Sequence, residues 1–128
     1  MLGDCPIVAF VGTQNAPRAK TFYGQTLGLR LVSEDPFALV FDANGTMLRV
    51  AIVPEVRAAG YTVLGWKVPD IKQSVAELKS KGVHFGKYEG LDQDAEGIWR
   101  SPAGARIAWF ADPDGNTLSL TEFGEMKI

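Results

Sequence analysis

The chain carries an internal duplication, and a repeated order of elements restricts a fold more than any local pattern does. Aligning Asp42-Ala43-Asn44-Gly45-Thr46-Met47-Leu48-Arg49-Val50 with Asp112-Pro113-Asp114-Gly115-Asn116-Thr117-Leu118-Ser119-Leu120 matches the leading Asp, the Gly and the Leu, and sets apolar residues opposite each other at the far end. Upstream, Pro6-Ile7-Val8-Ala9-Phe10 falls beside Tyr61-Thr62-Val63-Leu64-Gly65, and a helix signal follows each run. The repeat predicts two modules within one domain over residues 1–128, the first at about 6–53 and the second at about 62–123. A charged connector containing Pro and Gly, 54–61, joins them.

The first module starts with Pro6–Thr13, whose β-branched and aromatic residues read as a strand. Asn15 predicts a helix cap, Pro17 lies in the first turn, Ala19, Phe22 and Tyr23 form an apolar stripe, and Gly28 stops the helix. Leu29–Ser33, Phe37–Phe41 and Thr46–Val53 read as strands. The sequence Asn44-Gly45-Thr46 fits a glycosylation pattern, but Asn-Gly between two strand-like runs is a hairpin turn first.

In the second module Thr62–Val68 reads as a strand, and Asp70 caps a helix with Ile71, Val75 and Leu78 on one side. Gly82 stands where a left-handed C-terminal cap is wanted. Val83–Phe85 reads as a short strand and Gly86–Arg106 as a long polar segment, while Ile107–Ala111 and Asn116–Thr121 flank the turn Asp112-Pro113-Asp114-Gly115. Each module is therefore expected to be βαβββ, with a helix on one face of its sheet. The whole is an α+β fold whose other sheet faces curve round a shared cavity.

Bulk properties narrow the function. At 128 residues, 46% hydrophobic and 22% charged, the chain is an ordinary globular domain. Its net charge of −2 comes from 13 basic and 15 acidic side chains spread along the sequence, so there is no basic stripe and no nucleic-acid partner is expected. The apolar run Ile7–Val11 is too short to span a membrane and follows Asp4 instead of a basic segment, which predicts no membrane partner and a cytoplasmic protein. Cys5 is the only cysteine, which excludes an intrachain disulfide and a thiolate cluster, and it reads as a small buried hydrophobe. There is no nucleophile elbow, phosphate-cradling glycine loop or Cys–His pair. Asp112 and Asp114 read as turn formers, because a calcium loop of about 12 residues needs a Glu where Phe123 stands. The one histidine, His84, reads as a hydrogen-bonded side chain. Glu122 and Glu125 are possible general bases that read as solvated.

The strand, the Ala-x-x-Phe-Tyr helix leading into Leu27-Gly28-Leu29, the second unit ending in Lys81-Gly82-Val83, and the closing Trp109-Phe110-Ala111-Asp112-Pro113-Asp114-Gly115-Asn116 together resemble the vicinal oxygen chelate superfamily. The resemblance runs from about Pro6 to Phe123. It implies paired modules around a U-shaped cavity, commonly assembled as a homodimer. Members include glyoxalase I, extradiol dioxygenases, an epimerase and fosfomycin-modifying transferases, all metal users, and also metal-free bleomycin resistance proteins, so fold does not choose the function.

In the metal users, His, Gln or Glu on the first and last strands of each module hold the ion. The matching positions here are Val8, Arg49, Val63 and Ser119, with one residue of latitude on the two Val strands. Two valines, a permanent cation and a hydroxyl are not a donor set for a divalent ion, so no metal and no cofactor are expected. Strand alternation adds Phe10, Met47 and Thr117 to the same surface. If both hairpin turns have four loop residues, Val40 and Phe110 join it and Trp109 packs under the helices. Arg49 is either a clamp for an anionic ligand or a paired or solvated side chain, and Trp99 in the long segment is either a lid over a planar ligand or a plug. The expected ligand site is thus Phe10, Met47, Arg49, Val63, Trp99, Phe110, Thr117 and Ser119. It would hold a small aromatic or anionic molecule without metal; the alternative is an enzyme of the lyase or dioxygenase kind with a displaced metal site or carboxylate chemistry.

Overall fold

The computed structural model describes residues 1–124. The chain divides into two compact units, Met1–Ala58 with Pro113–Asn116, and Ala59–Asp112 with the chain from Thr117 onward. The division leaves the tip of the second hairpin in the first unit.

In the first unit β1 (Val8–Thr13) leads into α1 (Ala16–Thr21), followed by β2 (Arg30–Glu34), β3 (Ala38–Ala43) and β4 (Thr46–Ile52). The sheet order is β1-β4-β3-β2, with β1 parallel to β4 and the other pairs antiparallel. This is βαβββ connectivity. Asn15 caps α1 by accepting the Arg18 N–H at 3.0 Å. Beyond Thr21 the helix widens into a π turn over Phe22–Thr26, and Gly28 leaves it at φ +78. That turn buries Tyr23, whose ring meets Phe22 edge-on at 5.2 Å and Phe41 at 6.1 Å. Asn44 and Gly45 both have positive φ, 51 and 92, so a two-residue turn joins β3 to β4, as the Asn-Gly pair predicts.

Alternation sorts this sheet into two faces. Val11, Thr13, Leu39, Phe41, Leu48 and Val50 are buried on the face under the helix. The opposite face carries Val8, Phe10, Val40, Met47 and Arg49, with Val8, Phe10 and Met47 exposed.

The buried Asp114 carboxylate belongs to this unit. It accepts the Thr13 hydroxyl at 2.6 Å and the Gln14 N–H at 2.8 Å, with the Arg18 guanidinium at 3.8 Å. Asn116 donates to the Gly12 carbonyl at 2.8 Å. Reading Asp114 as a turn former thus missed its main office, which is to seal the end of β1.

In the second unit β5 (Leu64–Lys67), α2 (Ile71–Ser80), β6 (Trp99–Arg100), β7 (Arg106–Ala111) and β8 (Thr117–Glu122) repeat the order, with the sheet β5-β8-β7-β6 and β5 parallel to β8. Asp70 caps α2 through the Gln73 N–H, and the Glu122 carboxylate accepts the Ile71 N–H at 3.0 Å. Ile71 and Val75 of α2 and Ala108, Phe110, Leu118 and Leu120 of the sheet are the buried core.

Three expectations need correction here. Phe110 and Trp109 exchange faces: the β7–β8 pairing ends at Ala111 opposite Thr117, so the loop has five residues, and the odd count turns Phe110 to the helix side. Val83–Phe85 forms no strand; Phe85 makes one bridge to Phe110, and the fourth strand is instead Trp99–Arg100, inside the segment read as loop. Cys5 is exposed, because the chain enters β1 from a 3-10 turn over Leu2–Asp4 instead of from a buried strand start.

Replacing Asp114 with Ala removes hydrogen bonds to a buried charged group, which are worth about 1.5–3 kcal/mol each. Denaturant unfolding of Asp114→Ala should show a loss of about 2–4 kcal/mol, and Asp114→Asn a smaller one. Asp35 gives a pH signature: accepting the Phe37 and Ala38 N–H groups, aided by the more distant Arg49 charge, holds its carboxyl below the ordinary 3.8. The folded value is depressed, so its stabilisation is full above the unfolded value and fades as pH falls through the folded one. An NMR titration of Arg49→Leu should move the Asp35 midpoint only slightly upward, because the backbone donors remain.

Candidate ligand-binding site

The helix-free face of the second sheet is aromatic. Across the register, Trp99 pairs with Ile107, Trp109 with Ser119, and Ala111 with Thr117, so these residues share that face. Trp99 and Trp109 lie with ring centroids 6.1 Å apart at 34°, and Tyr88 stands edge-on to Trp109 at 5.7 Å. These geometries suit aromatic quadrupoles, so the three rings form one aromatic surface. Gln93 holds Tyr88 in place: its side-chain oxygen accepts the Tyr88 N–H at 2.6 Å and its amide donates to Gly86 and Gly97 carbonyls at 3.0 and 2.8 Å.

Beside Trp109 is an open pocket of about 410 Å³, lined by Tyr61, Thr62, Tyr88, Leu91, Trp109 and Thr117. Tyr61 and Tyr88 are 69% and 45% exposed, so two aromatic walls face solvent around an indole floor. Thr62 accepts the Trp109 indole N–H at 3.1 Å. A hydroxyl that accepts this way still has its own proton to donate. The pocket therefore offers stacking surfaces and a hydrogen-bond donor.

Of the residues singled out from sequence, Thr117 lines this pocket and Trp99 supports its floor through Trp109. Ser119 is 7% exposed, tucked against Gly65, where an added Cβ would come within 2.6 Å of its hydroxyl oxygen. Val63 lies just before β5, its N–H donated to the Thr117 carbonyl at 2.9 Å. Phe110, expected on the ligand surface, lies in the core with Phe85 at 5.4 Å. In the first unit Phe10, Met47 and Arg49 share the helix-free face, with Arg49 between Phe10 on β1 and Val40 on β3. Arg49 makes no ion pair within 4.0 Å among the described residues. Its guanidinium is thus uncompensated by contact, and the paired reading of it is set aside. Sequence reasoning missed Tyr61, Thr62, Tyr88, Leu91 and Trp109 as pocket walls; the available signal was Tyr61 at the end of one stretch read as a connector and Tyr88 near the start of the long polar segment. Glu122 is engaged with α2, His84 is exposed, and Glu125 lies outside the described residues.

The model of the Glyoxalase/Bleomycin resistance protein/Dioxygenase superfamily matches residues 7–120. The chain belongs to this superfamily. Solved structures of similar fold include a glyoxalase family protein from Enterococcus faecalis, 24% identical over 95% of this chain and 100% of that one, with a TM-score of 0.73. A superfamily member from Sphaerobacter thermophilus is 26% identical over 91% and 96% of the two chains, with a TM-score of 0.69. A lactoylglutathione lyase from Agrobacterium tumefaciens is 17% identical over 92% and 93%, with a TM-score of 0.72. No curated protein matches.

The resemblance sets the metal-ligand positions of metal-using members opposite Val8, Arg49, Val63 and Ser119 of this chain, with one residue of latitude on the two Val strands. These side chains are hydrocarbon, guanidinium and hydroxyl, and they do not fit a divalent ion. Among the described residues no three His, Cys, Asp or Glu side chains gather where an ion could sit.

Gly65→Ala should force Ser119 to shift and cost about 1–3 kcal/mol by overpacking. Thermal unfolding checks this; the double variant Gly65→Ala with Ser119→Ala should recover part of the loss, since the closest atom is then gone.

Proposed function

We propose that this superfamily member is a binding protein that takes a small planar aromatic molecule carrying an oxygen acceptor, and does so without a metal. The observation that carries the reading is the pair of solvent-facing tyrosines, Tyr61 and Tyr88, around the Trp109 floor in a pocket of about 410 Å³. Exposed aromatic rings cost hydrophobic free energy unless something covers them, and a flat ring stacked between them does so. The spare proton of the Thr62 hydroxyl selects a carbonyl, carboxylate or phenolate oxygen on that ring. A volume of this size is within the range of small-molecule sites, about 300–1,000 Å³.

Trp109 is the reporter. Titration with hydroxybenzoates is expected to quench tryptophan fluorescence saturably and to raise the melting temperature by mass action. Tyr61→Ala and Tyr88→Ala remove exposed side chains and should each weaken binding about threefold to tenfold, the worth of one aromatic contact. Absence of saturable quenching across planar aromatics, or unchanged affinity in both variants, defeats the reading. Elemental analysis after gel filtration separately tests its metal-free part: nickel, zinc and iron should be well below one equivalent.

A further inference from the structure

The other face of the second sheet has a different character at its edge. A pocket of about 320 Å³ opens between the first turn of α2 and the edge strand β6, lined by Lys72, Asp92, Asp94, Ile98, Arg100 and Arg106 among others. Arg100 and Arg106 lie directly opposite each other in the β6–β7 register. Like charges directly opposite on paired strands repel. Among the described residues no contact offsets this: neither arginine, nor Lys72, has a carboxylate within 4.0 Å. The nearby carboxylates are mostly committed. Asp94 accepts the Glu96 and Ile98 N–H groups at 2.9 Å each through one oxygen, and Glu122, opposite Arg106 on β8, accepts the Ile71 N–H. Asp92 alone has no hydrogen bond among the described residues, and it lines the same pocket.

We propose that this pocket binds a small phosphorylated metabolite, with Arg100 and Arg106 clasping the phosphate and Lys72 adding charge from the helix side. Two arginines at one register position on the same pocket can each offer a fork of N–H donors to a tetrahedral oxyanion, and a bound anion turns their mutual repulsion into attraction for the guest. Asp92 is placed to accept from a hydroxyl of the same molecule. The volume of about 320 Å³ leaves room for a phosphate and a short carbon chain. The pocket is separate from the aromatic one: its arginines belong to the helix-bearing face, whereas Trp109 and Thr117 belong to the other.

The test is a titration of isotopically labelled protein with glycerol 3-phosphate, followed by NMR, against sulfate and acetate at matched ionic strength. Saturable shifts of the Arg100 and Arg106 side-chain Nε–H signals and of the 92–98 amides are expected with the phosphate ester. Arg100→Gln and Arg106→Gln should each weaken binding about tenfold or more, the loss of a charge-assisted hydrogen bond, while Lys87→Gln leaves it unchanged. Without ligand, Arg100→Gln should keep or raise the melting temperature, because it removes a repulsion. Absence of saturable shifts, equal binding of sulfate or acetate, full affinity in both arginine variants, or a lower melting temperature of unliganded Arg100→Gln each overturns the assignment.

Discussion

One helix can cover only one face of a four-stranded sheet, and that restriction organises each module. In the first, α1 and its π turn bury Tyr23 against Phe41 and leave Val8, Phe10, Met47 and Arg49 on the other side. In the second, α2 takes Ile71 and Val75 to Phe110, Leu118 and Leu120, and leaves Trp99, Trp109 and Thr117 uncovered. Burial of the helix side drives folding, and the side chains of the uncovered side are left out of that packing.

Where a signal is local, it was legible in the sequence. Asn15 and Asp70 cap their helices because a short polar side chain can reach the orphan N–H groups of the first turn. Asn44-Gly45 makes its turn because both residues tolerate positive φ. The duplicated order of elements, and the superfamily with it, came from the same local cues read twice.

What escaped depended on partners far along the chain. A strand of two residues, Trp99–Arg100, shows no alternation of its own and exists only because β7 pairs with it. Whether Asn116 belongs to the loop or to the strand is not written in its neighbourhood, yet that single residue decides which of Trp109 and Phe110 is core. The Thr13–Asp114 hydrogen bond spans 101 positions, beyond the reach of any window. The candidate site shows both regimes. Thr117 was reached by counting along a strand, whereas Tyr61 and Tyr88 sit on irregular backbone whose direction no period governs.

The Gln93 side chain, with its three bonds to backbone groups of the 86–97 segment, is a knot in a loop with two duties. On one side of this knot the loop presents Tyr88 and Leu91 to an aromatic recess; on the other it presents Asp92 and Asp94 to a basic one. Insertions or deletions in this segment would therefore remodel both recesses at once, so a lineage or an engineer seeking a new preference in one of them must work through the strands and leave the knot intact.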